Sequence, residues 1–594
     1  MKTKLLDQAT VPKKKEKVAN RAIANTQDAI KWFTRVIYTI SMTFSPVIFR
    51  VIRRLQGFLP TVEMTGCINF SGGLLTFHVL RFTSPLPWLG LALCLGSLYL
   101  AVSAWRFGFV GFPLDDAWIH QTYARNLARS GQLAFTPGVP SAGSTSPLWS
   151  LLLSLGYLLR LPFHPWTYGL GLLFLGLTGW TVRRLAARLF PDSPGVGLWA
   201  GLFTVFEWHL IWAAVSGMET ILFVWLSLIL VERYLATVVA GRLSSGPGRQ
   251  PIALGLLAGL LVLTRPEGIG LVGLIGLDIA RRGWQAGPAP LRVLLQQWAG
   301  IIAGLLLIVG PYVAFHLQLT GLPFPNTLYA KQAEYRAILD NVPLWQRLFG
   351  NLGPPVETVQ GVFRVIFIGA QLLLLPGLIA AGWLSLKERR WATGPIWAWW
   401  VAYLLLYGLR LPVTYQHGRY QIPAIAWVVL LGVWGTARLV GLLPQAMLYR
   451  VAGRVLVISL ALLAGAFVLV GAQAYGRDVR FIETEMVAVA KWLDQHVAPQ
   501  ALLAAHDIGA IGYFSQRRLI DLAGLVTPEV IPFIRDESAL FDFMIARQVD
   551  YFITFPSWYP QLTQQRRLQL RYQTGAIWTP QMGGDNMAVY QIVD

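Results

Sequence analysis

The sequence predicts a polytopic α-helical membrane protein of about eleven spans with a C-terminal α/β domain outside the membrane. Three observations carry this. Of 594 residues, 55% are apolar and 13% charged, and the mean hydropathy is +0.52; a soluble domain carries about 25% charged residues. Apolar runs near the roughly 20 residues that a spanning helix needs recur from 86 to 473. From 474 to 594 the composition turns soluble, with 10 Lys and Arg against 13 acids.

Taken in order, residues 1–60 hold 12 Lys and Arg against 3 acids and form a basic segment on the cytoplasmic side. The stretch 30–58, with Arg50, Arg53 and Arg54, reads as an interfacial helix on the inner leaflet; a true start near Met64 is the other reading. The first span falls at about 86–106, and the polar segment 107–146 follows it. Apolar runs then recur near 147–160, 165–182, 195–214, 218–239, 251–264, 266–280, 293–317, 361–385, 394–409, 420–440 and 453–473. Short basic loops set their direction. Arg183, Arg184 and Arg188 form one such group; Arg233, Arg242 and Arg249 the next; then Arg281, Arg282 and Arg292; Lys387, Arg389 and Arg390; and Arg438, Arg450 and Arg454. If all face the cytoplasm, segments 107–146, 215–218, 265–268, 318–360, 410–419 and 474–594 lie outside. That parity lets 147–182 cross only once, so 147–160 lies along the outer interface or re-enters. The count is then about eleven, within a range of 10–13.

The tail begins with an amphipathic helix over 480–496 and continues with strands at 501–507, 518–522, 550–555 and 587–593. The chain divides into the basic segment 1–60, a membrane domain over 86–473 and the exported domain 474–594. The net charge of +20 would suggest nucleic acid on a soluble chain, but here its distribution follows the spans and argues against that partner. The two cysteines, Cys67 and Cys94, lie outside the tail, which therefore has no disulfide framework. There is no Walker motif, no His-Glu-x-x-His and no Cys-rich metal site.

Ionisable groups avoid the middle of the spans and gather in the outer segments, where their placement is informative. Asp115 and Asp116 directly follow the first span, at the start of a helix-like stretch. A carboxylate there can take a proton from a hydroxyl nucleophile or hold a divalent cation; the pair also fits a helix cap before a solvated interfacial helix. His120, four residues on, falls within about 40° of the helical face that carries Asp116, and Arg125 follows nine residues on in the same stretch. Glu219, in "SGMET", sits at an outer turn where it caps a helix or meets a ligand. "TRPEG" sets Arg265 beside Glu267, as a phosphate site or a structural pair. "GLPFPNTLYAKQAEY" places Asn326, Tyr329 and Lys331 in an outer loop held extended by prolines, suited to a phosphate and a sugar ring. "TYQHGRYQIP" brings His417, Arg419 and Tyr420 to the mouth of a span, where cations would meet a lipid phosphate. His506 and Asp507 in the tail read as turn and capping residues, or as acceptor contacts.

These motifs, "DDAWIHQTYARNLARSGQLAFTPG", "STSPLW", "SGMET", "LTRPEG", "PNTLYAK", "GRYQIP" and "DIGAIGYFSQRRLIDLAGLVTPE" in that order, resemble the GT-C superfamily of integral-membrane glycosyltransferases. The branch they resemble most is that of the mycobacterial terminal β-(1→2) arabinofuranosyltransferases. The resemblance covers about 86–594. It implies a polyprenyl-phosphate sugar donor reached from the outer leaflet, and a hydroxyl acceptor on an exported glycan, lipid or protein. It further implies transfer by a single displacement with inversion. Carried over by motif, Asp115 or Asp116 is the general base, Asp115 slightly favoured, and its neighbour positions the acceptor or a divalent ion. The departing phosphate needs cations, and Arg265, Lys331, His417 and Arg419 are the candidates. His120, Arg125, Glu219, Glu267, Asn326, Tyr329 and Tyr420 are expected around the substrates. No cofactor is specified beyond a cation at the Asp pair.

A transporter or flippase of lipid-linked sugars is the reading from another class; such proteins carry paired repeats with broken helices and polar sites near the midplane. An oligosaccharyltransferase or glycan polymerase would use a diphosphate-linked donor and a metal.

Overall fold

Helix α1 (Leu86–Val102) opens the described part of the chain with Pro87 in its first turn, and a π-helical turn (Ser103–Phe107) extends it. The structure, a computed structural model, describes residues 82–239, 249–285, 291–350 and 360–593. The expected interfacial helix at 30–58, the rest of the basic N-terminal segment and Cys67 lie outside the described residues; Cys94 is a free, exposed thiol. Phe82–Ile577 and Asp585–Asp594 make one compact unit, and Trp578–Gly584, with a helical turn at Trp578–Gln581, belongs to a separate one.

Helix α2 (Asp116–Ser130) buries nearly its whole length and ends at Gly131, whose positive φ of 69° suits a residue without a Cβ. A short hairpin, β1 (Ala134–Thr136) and β2 (Val139–Pro140), leads into α3 (Pro147–Leu158). Twelve residues rise only about 18 Å, so α3 is too short to cross a bilayer core of about 30 Å. This agrees with the expectation that 147–160 does not span.

The helices that follow are α4 (Phe163–Leu189), α5 (Pro194–Phe206), α6 (Trp208–Ala214), α7 (Thr220–Tyr234), α8 (Arg249–Thr264), α9 (Gly268–Gln285), α10 (Leu291–Thr320), α11 (Asn326–Glu334), α12 (Leu375–Lys387), α13 (Gly394–Arg410), α14 (Ile425–Gly441) and α15 (Ala446–Ile482). Among the described residues, six helical segments are long and apolar enough to cross a membrane, or seven if the bent pair α5–α6 counts as one. The protein is thus a multi-pass membrane protein. The apolar run 195–214, expected to be one span, is broken by 58° between α5 and α6. Glu207 sits at the break in an extended conformation; its carboxylate accepts from the Leu210 N–H at 3.0 Å and contacts His209 Nδ1 at 2.7 Å.

α15 continues without a break through a π-turn (Glu483–Val487) into α16 (Ala488–His496), so the boundary drawn at 473/474 falls inside one helix of 51 residues. At 1.5 Å per residue it is about 75 Å long, more than twice the bilayer core, and it carries the chain directly into the C-terminal domain. That domain is a five-stranded sheet in the order β4-β3-β5-β7-β6, formed by β3 (Leu502–Ala505), β4 (Arg518–Asp521), β5 (Tyr551–Thr554), β6 (Leu568–Gln573) and β7 (Ala588–Ile592). β3 runs parallel to both β4 and β5, and β7 is antiparallel to β5 and β6. The four expected strands are present. The fifth, β6, was not expected; it is an edge strand whose side chains are mostly exposed on both faces, so "LQLRYQ" lacks a buried apolar row. Glu485 ties the long helix to the sheet domain by accepting from the Asn586 Nδ2 at 3.0 Å and the Met587 N–H at 2.9 Å.

Candidate active site

The site is built around the start of α2. Leu114 is buried just ahead of it, and Asp115 and Asp116 occupy the N-cap and first helical positions. The two neighbours turn to different partners. Asp115 Oδ2 accepts from the Gly509 N–H at 2.7 Å and Oδ1 from the Ala510 N–H at 2.8 Å, so its carboxylate grips the turn after β3 in the C-terminal domain. Burial pushes its carboxyl up to about 6, the two N–H donors oppose that shift, and nearby Asp116 adds to it.

Asp116 faces Arg419 instead, with Nη1 and Oδ2 2.5 Å apart, and its side chain is about a third exposed. Burial would raise its carboxyl, but Arg419, Lys331 and His120 outweigh burial and hold it below the usual carboxylate range. Arg419 donates from Nη2 to the Tyr420 hydroxyl at 2.8 Å and lies 4.8 Å from the centre of that ring. Arg265 lies 5.7 Å from the same ring and meets Glu219, Nε to Oε1, at 3.1 Å. The other Glu219 oxygen is 3.2 Å from His120 Nε2. Glu219 is held below its ordinary range because His120 and Arg265 overcome its burial. Asp116, Arg419, Tyr420, Arg265, Glu219 and His120 therefore close into one neighbourhood. Within it Arg419 Nε, Arg265 Nη1 and His120 Nδ1 are buried without a hydrogen-bond partner.

Lys331 reaches the same place from α11. The helix is pinned to the loop after the hairpin, since the Asn326 N–H donates to the Ala142 carbonyl at 3.0 Å and Thr327 Oγ1 to that of Gly143 at 2.8 Å. Lys331 Nζ is 3.8 Å from Glu334 Oε2, and Glu334 in turn meets His506 Nε2 and Arg535 Nη2, each at 3.4 Å. Asp507, next to His506, is pushed well above the usual range by burial and then by the charges of Asp115 and Asp116.

Other expected site residues make their main contacts with different partners. His417 Nε2 lies 2.8 Å from Asp478 on α15, edge-on to Trp208 and Trp212, so its ring is engaged elsewhere. Arg125 donates from Nη1 to the Tyr513 carbonyl at 2.6 Å and lies over that ring, which makes it a tie to the C-terminal domain. Glu267 accepts from the Tyr407 hydroxyl, and Arg265 pairs with Glu219 rather than with Glu267. Tyr329 is partly buried, and its side chain makes no hydrogen bond among the described residues. Glu334 and Tyr415 were not singled out as site residues, and Asp507 was read as a capping residue or an acceptor contact. Glu334 was legible as an i,i+3 partner of Lys331, and Tyr415 stands four residues before Arg419, whose guanidinium is 5.6 Å from its ring. Among the described residues, no three His, Cys, Asp or Glu side chains are placed to hold a metal ion.

ArnT of Cupriavidus metallidurans, crystallised with undecaprenyl phosphate, superposes with a TM-score of 0.54 at 16% identity, over 87% of this chain and 98% of its own. The oligosaccharyltransferase of Archaeoglobus fulgidus, tethered to an acceptor peptide, superposes at 0.52 and 10% identity, over 84% of this chain and 74% of its own. Both have the GT-C fold. The chain has the GT-C fold. Mycobacterial arabinofuranosyltransferase AftD matches at 0.47 and 16% identity, over 86% of this chain and 42% of its own, too loosely to place this GT-C chain in the arabinosyl branch. Residues 475–590 match the family model of a domain of unknown function, DUF8728. No curated protein matches the sequence.

Proposed function

We propose that this GT-C protein is a membrane glycosyltransferase. It moves a sugar from a polyprenyl-phosphate donor to an acceptor hydroxyl on the outer face of the membrane, with the C-terminal domain on that face and the N-terminus in the cytoplasm. The observation that carries the reading is the convergence of Arg419 and Lys331 on one partly open carboxylate, Asp116, with Arg265 against the same Tyr420 ring and two buried guanidinium nitrogens, Arg419 Nε and Arg265 Nη1, left unpartnered. A buried donor without an acceptor is costly, and a phosphate oxygen would supply one.

An apolar cavity of about 210 Å³ supports a lipid-linked donor. It lies between α7, α8, α9 and α10, and its lining residue Ile269 follows Arg265 by four residues, just past the turn that joins α8 to α9. A prenyl chain there would leave its phosphate among the cations.

In the transfer, the acceptor oxygen bonds to the anomeric carbon as the bond from that carbon to the phosphate oxygen breaks. The acceptor proton passes to a carboxylate and the phosphate departs as a monoester. Such a leaving group needs no proton near neutral pH, so one base suffices, while the cations stabilise the growing charge. Asp116 is the favoured base, because both oxygens of Asp115 already accept backbone N–H groups. Attack from the side opposite the phosphate inverts the anomeric centre.

The test is sugar transfer by purified protein in lipid nanodiscs, supplied with a panel of polyprenyl-phosphate sugars. Removal of a general base costs about 10²–10⁴-fold. Asp116→Asn is expected to lose that much turnover while still binding donor, and Asp116→Glu to recover part of it. Turnover of Asp116→Asn at the parent rate would overturn the assignment.

A further inference from the structure

The carboxylate of Asp507 is the one acid beside the transfer cluster whose side chain has neither a hydrogen bond nor an ion pair among the described residues. Its neighbours are otherwise engaged. Asp115 holds two backbone N–H groups, Asp116 holds Arg419, and Glu334 holds Lys331 and Arg535. Asp507 is only partly buried, so its carboxyl oxygens are open to a group from outside the chain. His506, directly before it, keeps Nδ1 buried and unpartnered. Burial drops its imidazole to about 4, so near neutral pH it is uncharged, with one ring nitrogen to donate and one to accept.

An aromatic face stands next to these groups. Trp558 is 46% exposed, its ring centre lies 5.3 Å from that of His506, and its indole N–H has no partner among the described residues. Tyr559 is buried on the inner side, with its ring 6.3 Å from His506. Phe555, 5.1 Å from Trp558, backs the indole from the strand end. A large exposed indole is poorly suited to solvent, and it presents a flat apolar surface with a donor at its rim. Beside it stand a carboxylate, a neutral imidazole and the exposed guanidinium of Arg535. That combination matches a pyranose or furanose ring, which has an apolar C–H face and hydroxyls at its edge. An alkyl chain offers nothing to the polar groups, and an unstructured peptide offers no flat face to the indole.

Resting on the reading of the chain as a glycosyltransferase, we infer that Asp507, His506 and Trp558 form an acceptor subsite for a carbohydrate, contributed by the C-terminal domain. The acceptor is therefore a glycan. One sugar ring stacks on Trp558, its hydroxyls bond to Asp507 and His506, and the chain continues past Glu334 and Lys331 to Asp116. Contacts of 3.4 Å from His506 to Glu334 and 3.8 Å from Glu334 to Lys331 connect the two places through a single row of side chains. Asp507 and Trp558 act as positioning residues, since the reacting atoms lie at Asp116.

Binding to the full-length protein in nanodiscs tests this, with a panel of soluble hexasaccharides (arabinan, galactan, mannan and glucan), Ser/Thr-rich peptides and undecaprenyl phosphate as probes. At least one hexasaccharide is expected to bind and to quench indole fluorescence. Trp558→Ala removes the flat apolar face on which the ring packs and is expected to weaken that binding about tenfold, with Trp558→Phe and Asp507→Asn intermediate. Binding of undecaprenyl phosphate should stay within about twofold in all three variants, which also shows that they fold. Hexasaccharide binding that is unchanged by Trp558→Ala and Asp507→Asn, binding of the peptides alone, or no hexasaccharide binding at millimolar concentration would each overturn the inference. Failure of the parent to bind undecaprenyl phosphate would strike the glycosyltransferase reading instead.

Discussion

Replacing Gly509 by alanine probes the joint between the membrane part and the C-terminal domain. A Cβ at Gly509 would stand 2.0 Å from the Asp115 carbonyl oxygen and 2.7 Å from Asp115 Oδ2. Carbon atoms do not approach backbone oxygens closer than about 3 Å, so one of the two segments must move by about 1 Å. Asp115 cannot give way alone, because its carbonyl accepts the Trp118 N–H at 2.9 Å within the first turn of α2. The shift therefore either tilts the start of α2, and Asp116 with it, or lifts Gly509 and Ala510 off the Asp115 carboxylate. Overpacking of this kind costs about 1–3 kcal/mol, and a 1 Å misplacement at a reacting group costs on the order of 10²-fold in rate. The assay is the release of polyprenyl phosphate from a polyprenyl-phosphate sugar, alongside hydrogen exchange at the two amides. Gly509→Ala is expected to lose about 10²-fold in kcat and to expose both amides. A variant that keeps its rate within twofold, with both amides still protected, would refute the placement of this turn against the active helix.

Two further outcomes follow from the buried acids. Asp115 and Asp521 are each pushed up to about 6 by burial, although backbone N–H groups oppose the shift in both. Transfer should therefore fall as the pH drops through 6, because a protonated Asp115 is a weaker acceptor for the Gly509 and Ala510 amides. Both acids hold protons more tightly in the folded than in the unfolded chain, so their contribution to stability grows as the pH falls from 7 towards 4. A pH–rate profile compared with thermal unfolding checks both signs; activity lost together with stability over that range would contradict them. Glu485→Ala leaves the Met587 N–H and the Asn586 amide without their buried acceptor. Each stranded polar group costs about 1–3 kcal/mol, so the variant is expected to unfold at a clearly lower temperature in a scan of the purified protein. An unchanged melting temperature would show that this joint contributes nothing.

Four of the five strands and the apolar helices were readable because burial on all sides leaves a continuous apolar run. "RLIDL" and "DYFITF" are each buried over three consecutive strand residues, and among the described residues six or seven helical segments are long and apolar enough to span, against about eleven expected. The bend at Glu207 was not readable, because it depends on a carboxylate that caps α6 and touches His209 within an otherwise apolar run. The same holds at the site. Asp116, Arg419, Arg265, Lys331, Glu219 and His120 could be named from motif position, since ionisable residues at outer turns are few. Their pairing could not, because Arg265 chooses Glu219 across the fold over Glu267 two residues away. His417, two residues from Arg419, points to Asp478 because Gln416 and His417 take left-handed backbone conformations that turn the chain. Asp507 could be read only as a cap or an acceptor contact, because only the docking of 509–510 on Asp115 brings the tail to α2.

The central claim is that the cations around Asp116 receive the phosphate of a polyprenyl chain. It is tested most directly by titrating the protein in nanodiscs with undecaprenyl phosphate and with undecaprenol, for the parent and for Arg419→Gln. Hydrogen bonds to a charged partner are worth about 1.5–3 kcal/mol, which is roughly 10–150-fold in affinity. The account predicts that the parent binds the phosphate at least tenfold more tightly than the alcohol, and that Arg419→Gln removes most of that preference. Equal affinity for the two lipids, or a preference untouched by Arg419→Gln, would contradict it.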